Sequence, residues 1–236
     1  MPVDKSGSRV KQMFREIAPR YDLMNHLLSM NIDRYWRRRT VHLVPIESSA
    51  PILDLCTGTG DLAFAFHRAV AGRIPIVATD FCREMLQLGE DKKRKRGVHS
   101  GVTFVEADAQ QLPFEDNLFQ IVCVAFGLRN VADTDRGLSE MVRVCHAGGR
   151  VAVLEFSKPR IPPLSTLYKF YFRYVLPRIG QRLAKNEASA YEYLPSSVAE
   201  FPDGEALASR MRDAGLHDVW YRSMTFGVAT LYVGTK

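Results

Sequence analysis

The stretch Ile52-Leu53-Asp54-Leu55-Cys56-Thr57-Gly58-Thr59-Gly60-Asp61-Leu62 constrains the fold of this chain more than any other. Ile52 to Cys56 reads as a short apolar strand, the small Gly-rich run after it as a tight turn, and Leu62 to Val70 as the start of a helix. A strand that feeds a helix through such a turn lets a ligand approach bare backbone, because Gly58 and Gly60 carry no Cβ. The first amides of the helix have no intrahelical partner and face the same point. The stretch therefore predicts a nucleotide-type crevice at the carboxyl end of a parallel strand.

The turn alone does not identify the ligand. A dinucleotide fingerprint has a third glycine three residues on; Ala63 stands there, which some dinucleotide folds accept. The second apolar run, Ile76 to Thr79, ends in Asp80, a carboxylate placed to bind both hydroxyls of a ribose. That arrangement suits a nicotinamide dinucleotide and S-adenosylmethionine equally. A third strand, Val102 to Glu106, leads to Asp108-Ala109, an acid beside a small residue that suits an adenine amino group. A fourth strand spans about Gln120 to Phe126. This series of strand ends resembles the class I S-adenosylmethionine-dependent methyltransferases. The competing reading is an ordinary α/β domain with an incidental Gly turn and surface acids. Three sites in order at three successive strand ends weigh against it.

Bulk properties bound the rest. A length of 236 residues, 46% hydrophobic and 25% charged, predicts one domain, or one with an insertion, and a core of normal size. The net charge of +6 favours anionic partners such as an acidic membrane surface or nucleic acid. Cys56, Cys82, Cys123 and Cys145 form no Cys-x-x-Cys pair and read as small buried or half-buried thiols in a reducing compartment. No metal site is read. Met1 to Gln12 is polar and basic without the apolar core of a signal peptide, and no apolar run reaches the length of a spanning helix. The expected location is cytoplasmic or peripheral on a membrane.

Ser6 to Ile17 has helical apolar spacing at Val10, Met13, Phe14 and Ile17, and Pro19 stops it. A second helix is expected around Arg34 to Arg39. Residues 1–45 thus form a helical cap that could lie over the crevice, with Tyr21, Asp22 and Asn25 facing a ligand; the alternative there is a polar loop with local turn bonds. Residues 51–156 alternate strands and helices as a cofactor-binding core. Lys92 to Arg96 ends one of those helices, where cations complement the helix dipole, and gives no support for nucleic acid because no aromatics interleave with it. The loop Phe126 to Val131 falls at the same carboxyl edge, and Arg129 beside Gly127 is placed to stabilise an anionic oxygen of substrate. A turn at Gly148-Gly149 should open a fifth strand, Arg150 to Phe156. Residues 159–202 are aromatic and basic and read as a helical insertion that is interfacial, covers a ligand, or packs on the sheet or between subunits. Residues 203–236 supply a helix and an antiparallel hairpin, Val219 to Met224 with Val228 to Gly234.

With these pieces in order the sequence resembles the quinone C-methyltransferases called UbiE or MenG. Met13-Phe14 with Tyr21-Asp22-Leu23-Met24-Asn25, the block Asp54 to Asp61, Phe126-Gly127-Leu128-Arg129-Asn130-Val131, and Tyr193-Leu194-Pro195-Ser196-Ser197 with Phe201-Pro202 carry the likeness over nearly the whole chain. It implies a Rossmann-like α/β fold with a seven-stranded, mostly parallel sheet and an antiparallel C-terminal hairpin. It implies S-adenosylmethionine as cofactor and a polyprenyl quinol as substrate. Cofactor contacts are then expected at Asp54, Gly58, Thr59, Gly60, Asp80, Asp108, Ala109 and Ala125. The family usually has Ser at the position of Ala125, so one hydrogen bond worth about 1 kcal/mol is missing.

The sulfonium methyl is already electrophilic, so the protein must orient it and supply a nucleophilic ring carbon. Arg129 is expected to stabilise the phenolate, with Tyr21 and Asn130 beside it. The base is left open among a water oriented by Tyr21, Asp22, Asp108 or Asn130, and His26, whose structural reading is the stronger. Leu167 to Leu176 suits docking on an anionic leaflet. The short N-terminus favours a bacterial enzyme and demethylmenaquinol over a methoxy-benzoquinol; a homodimer is left open. The alternatives are a methyltransferase of RNA or another small molecule, and a non-catalytic cofactor-binding scaffold.

Overall fold

β1 (Ile52–Leu55) is buried at every residue and pairs in parallel on both sides, with β2 (Ile76–Asp80) and β4 (Phe119–Ala125). Strands covered by helices on both faces have no polar side to show, which is why these runs read as continuously apolar. In the computed structural model, which describes residue 4, residues 6–160, residues 162 and 166 and residues 188–236, the sheet continues on each side of this pair. β3 (Val102–Glu106) adds to β2, and β5 (Cys145–Phe156) adds to β4, both in parallel. β7 (Ala229–Thr235) then runs antiparallel between β5 and the edge strand β6 (His217–Met224). The order is β3-β2-β1-β4-β5-β7-β6, the expected seven-stranded, mostly parallel sheet with its closing hairpin.

Helices cover both faces. α3 (Ile32–Leu43) and α4 (Asp61–Ala69) bury Trp36, Leu62 and Phe66 with Ile52, Ile121 and Leu231 on one face. α6 (Thr134–Val144) and α8 (Glu205–Asp213) bury Leu138, Met141, Leu207 and Met211 with Leu53, Val122 and Tyr232 on the other. α6 begins at Asp133, whose carboxylate accepts the Arg136 amide at 3.0 Å. α5 (Arg83–Lys95) packs on β2 and β3. The order of the strands reverses between β1 and β4, so the crevice opens at their carboxyl ends.

The structure alters two readings. The Gly148-Gly149 turn lies inside β5, as an irregularity between the pairs Phe119–Cys145 and Ile121–Arg150; the strand begins at Cys145 because Phe119 has a partner there. Residues 21–28 are not a polar loop. They form α2 (Tyr21–Leu28), joined to α1 (Gly7–Ile17) by a 3-10 turn at Ala18–Arg20. Pro19 therefore ends one helix and sits in the turn that starts the next. Of the aromatic insertion, the described residues include α7 (Ala188–Glu200), which contains Pro195 and packs on α1. The Leu167 to Leu176 stretch lies outside the described residues.

Candidate active site

The carboxyl ends of β1, β2 and β4 deliver Cys56, Asp80 and Phe126 to one cleft, and α1 and α2 roof it with Phe14 and Tyr21. The cleft is open to solvent, and Phe81, Met85 and Asp108 also line it. Its floor is backbone. Gly58 has φ +57°, and a Cβ there would meet the Tyr21 ring at 3.4 Å. Gly127 lies against Cys56, where a Cβ would come within 2.3 Å of the Cys56 Cβ. Only glycine lets the β1 and β4 turns close on each other there.

Asp80 is buried, 7% exposed, and lines the cleft. One carboxylate oxygen accepts the Gly58 amide at 2.9 Å and the other the Cys82 amide at 2.9 Å. Burial outweighs these bonds and raises its pKa to about 6. Asp108 and Ala109 reach the cleft from beyond β3, and Asp108 accepts the Gln110 amide at 2.9 Å. Tyr21 and Asn130 also line it. The Asn130 Oδ1 is buried without a hydrogen-bond partner. Burial pushes the Tyr21 phenol upward against the bond from Asn25 and the positive field of Arg37 and Arg129. The Cys56 thiol is raised well above its ordinary value by burial and then by the nearby carboxylates of Asp80 and Asp54, so it is a neutral wall group and not a nucleophile.

Other expected contacts stand behind this wall. Asp54 lies under the Gly-rich turn, accepting the Thr57 hydroxyl at 2.5 Å and the Ala63 amide at 3.0 Å; burial raises its pKa to about 7. The Gly60 amide turns back to the Thr57 carbonyl at 3.0 Å, and Ala125 packs in the core. The Thr59 hydroxyl donates to Asp22 at 2.5 Å and accepts from Lys92 at 2.7 Å. Asp22 is thereby a strut between cap and core, and not the ligand-facing residue expected. His26 is taken up by Asp33 at 2.9 Å. Arg129 does not project into the cleft. It is 7% exposed, its Nη1 bonds Glu155 at 2.9 Å and the Phe126 carbonyl, its amide donates to Glu155, and its Cζ lies 5.3 Å from the centre of the Phe156 ring. Its Nε has no partner.

Sequence reasoning missed Phe81, Met85, Gln110 and Val131 as wall residues. They are ordinary core or loop residues in sequence and become lining only because they flank the strand ends. The basic run that ends α5 is largely consumed within the chain: Lys92 pairs with Asp22 and Asp61, Lys93 with Glu90, Arg94 with Asp91, and Arg96 with Asp61. Among the described residues no cluster of His, Cys, Asp and Glu could hold a metal, and no helix is long and apolar enough to cross a membrane.

A bare-backbone floor, a ribose-type acid on the second strand, an acid and a small residue after the third, and an unpartnered amide oxygen fit an adenosyl ligand. Residues 3–236 match the model of the ubiE/COQ5 methyltransferase family. The chain belongs to that family. It is a C-methyltransferase that uses S-adenosylmethionine. Among its relatives is the ubiquinone/menaquinone biosynthesis C-methyltransferase UbiE of Geobacter sp. strain M21, 44% identical over 235 residues, covering 99% of both chains. The protein of the same name from Escherichia coli O1:K1 is 43% identical over 233 residues, covering 99% of this chain and 92% of that one. Solved structures share the fold: an S-adenosylmethionine-dependent methyltransferase of Thermotoga maritima superposes with TM-score 0.66 at 17% identity, covering 96% of this chain and 99% of that one. Phosphoethanolamine N-methyltransferase 2 of Haemonchus contortus gives 0.63 at 15% identity, covering 94% of this chain and 60% of that one.

Proposed function

We propose that this enzyme methylates a ring carbon of a polyprenyl quinol in ubiquinone/menaquinone biosynthesis, with demethylmenaquinol as its substrate. The observation that carries this is the near end-to-end match to relatives named for that pathway, extending through the cap and the α7 block. Bound S-adenosylmethionine supplies an electrophilic methyl group. The chain's own residues do the rest. Asp80, Gly58, Asp108 and Ala109 hold the nucleoside at the strand ends. Phe14 and Tyr21 cover the cleft and exclude water. Arg129, held by Glu155 behind the cleft wall, turns its unpartnered Nε to the charge of a deprotonated ring hydroxyl outside the cofactor cleft. Before the proton leaves, the ring hydroxyl donates to Asn130 Oδ1, which orients it from the turn.

A polyprenyl substrate resides in a bilayer, so the enzyme must visit a membrane. α3 offers exposed Arg34, Tyr35 and Arg38, and Phe226 stands 74% exposed in the β6–β7 turn. Reversible, salt-sensitive association with anionic liposomes is the expected behaviour. The decisive assay offers S-adenosylmethionine with a demethylnaphthoquinol and with a methoxy-benzoquinol. Methylation of the naphthoquinol is expected; turnover of the benzoquinol alone overturns the choice of headgroup, and turnover of neither overturns the function.

A further inference from the structure

α7 packs against the 3-10 turn Leu128–Asn130. Buried side-chain atoms without a hydrogen-bond partner gather there: Arg129 Nε, Asn130 Oδ1 and the hydroxyl of Tyr193 on α7. Outside this junction the described residues contain only Thr40 Oγ1 of the same kind. Tyr193 lies in the field of Arg129 and Glu155, whose charges oppose each other, while burial raises its phenol above the ordinary value. The phenol is therefore protonated at neutral pH. A folded chain rarely leaves buried polar atoms unpaired, and several left in one place point to a ligand that pairs them.

These atoms specify the group they lack. Arg129 Nε–H only donates, Asn130 Oδ1 only accepts, and a phenol does either. A ring hydroxyl offers one donor and two acceptor positions, and its anion takes up two donors. We infer that Tyr193 contacts the acceptor substrate and donates its O–H to a ring oxygen, the same oxygen that Arg129 Nε and Asn130 address. Tyr21 does not serve this purpose, because its hydroxyl is engaged by Asn25 and its ring lines the cofactor cleft. Tyr193 does not line that cleft, whereas Asn130 does, so the trio reaches from the cofactor wall outward to α7. This inference rests on the quinol reading above and adds the residue from the C-terminal half that completes its headgroup contacts.

The test is Tyr193→Phe, which removes the hydroxyl and keeps the ring, with a short-chain demethylnaphthoquinol as substrate. The expected result is a loss of roughly tenfold or more in kcat/KM, with cofactor affinity by calorimetry and Tm unchanged. A second probe is the analogue of the same quinol with that ring hydroxyl replaced by hydrogen, used as a competitive inhibitor, because it offers Tyr193 no acceptor. The wild-type enzyme should prefer the free quinol, and Tyr193→Phe should lose most of that preference. Unchanged kcat/KM or an undiminished preference overturns the inference, as does a fall in Tm with weakened cofactor binding, which would make the hydroxyl structural. If the wild-type enzyme binds S-adenosylmethionine yet methylates neither quinol class, the proposed function has failed, and that outcome is read before any variant is compared.

Discussion

Asp80 must do two things that pull apart. As a charged acceptor it would hold a ribose, yet its burial favours the neutral acid and sets its pKa at about 6. A protonated carboxyl keeps a single strong acceptor oxygen and offers a proton that the site does not need. Cofactor affinity should therefore fall as pH drops through 6, and Asp80→Asn should bind weakly with a flat profile; calorimetry from pH 5 to 8 checks both. Arg129 poses a different problem. Its guanidinium is buried against Glu155, so removing either partner strands a charge, at about 3–5 kcal/mol. Arg129→Met and Glu155→Gln should both lower Tm, and Arg129→Met should also abolish turnover. A denaturant melt read beside single-turnover rates separates the two effects. Cysteine identity told little: Cys56 is half-buried at the cleft, whereas Cys82, Cys123 and Cys145 are buried and do not line it.

At the scale of elements, the cap is the part whose attachment is polar. Lys92 on α5 binds Asp22 at 2.7 Å, Asp61 at 3.0 Å and the Thr59 hydroxyl, joining α2 to the Gly-rich turn. Lys11 reaches Glu106 and Arg15 reaches Glu84, both across exposed surface. The two exposed pairs are weak singly, so the Lys92 cluster is the main polar tie of the roof to the core. Lys92 and Asp61 are largely buried, so Lys92→Met should lower global stability by about 1.5–3 kcal/mol. It should speed hydrogen exchange in α2 and raise the cofactor off-rate several-fold, measured by exchange mass spectrometry and stopped flow. An unchanged off-rate would show that the latch does not hold the roof. The α2 helix itself was not legible in the sequence. Its bonds are local, but Asp22 and His26 find their partners on α5 and α3, in Lys92 and Asp33.

For the molecule as a whole, the titrating groups fall into two sets with opposite signs. Asp54 and Asp80 have folded pKa values raised to about 7 and about 6, so the folded state binds more protons than the unfolded one above roughly pH 4. Their stabilising contribution is full below the unfolded carboxylate pKa and is lost as pH rises through 6 and 7. Asp33 and Asp61 have lowered pKa values, Asp33 through Ser29 and Arg37 and Asp61 chiefly through Lys92, each against burial. Their contribution is present above the unfolded pKa and is lost as pH falls through the folded one. Tm should peak at roughly pH 4, where both sets contribute, and decline from there to about pH 7. Asp54→Asn should flatten the decline between about pH 4 and pH 7; an undiminished decline over that range in the variant would contradict the assignment.

Sequence alone determined the sheet core, because a parallel strand buried on both faces must be mostly apolar and must end in a turn that admits its ligand. Ile52 to Leu55 and Ile76 to Asp80 carry that signal locally, and so does the Gly58 turn; Val102 to Glu106, at the sheet edge, is buried only at Val102. Tertiary structure decided which polar side chains face the cleft. Asp54, Thr59 and Arg129 look like ligand residues in a one-dimensional pattern, yet their partners, Ala63, Lys92 and Glu155, come from other elements. A hydrogen bond made across elements leaves no periodicity in the chain. Asn130 and Tyr193 could be identified as waiting for a partner only after packing had assigned one to nearly every other buried polar atom.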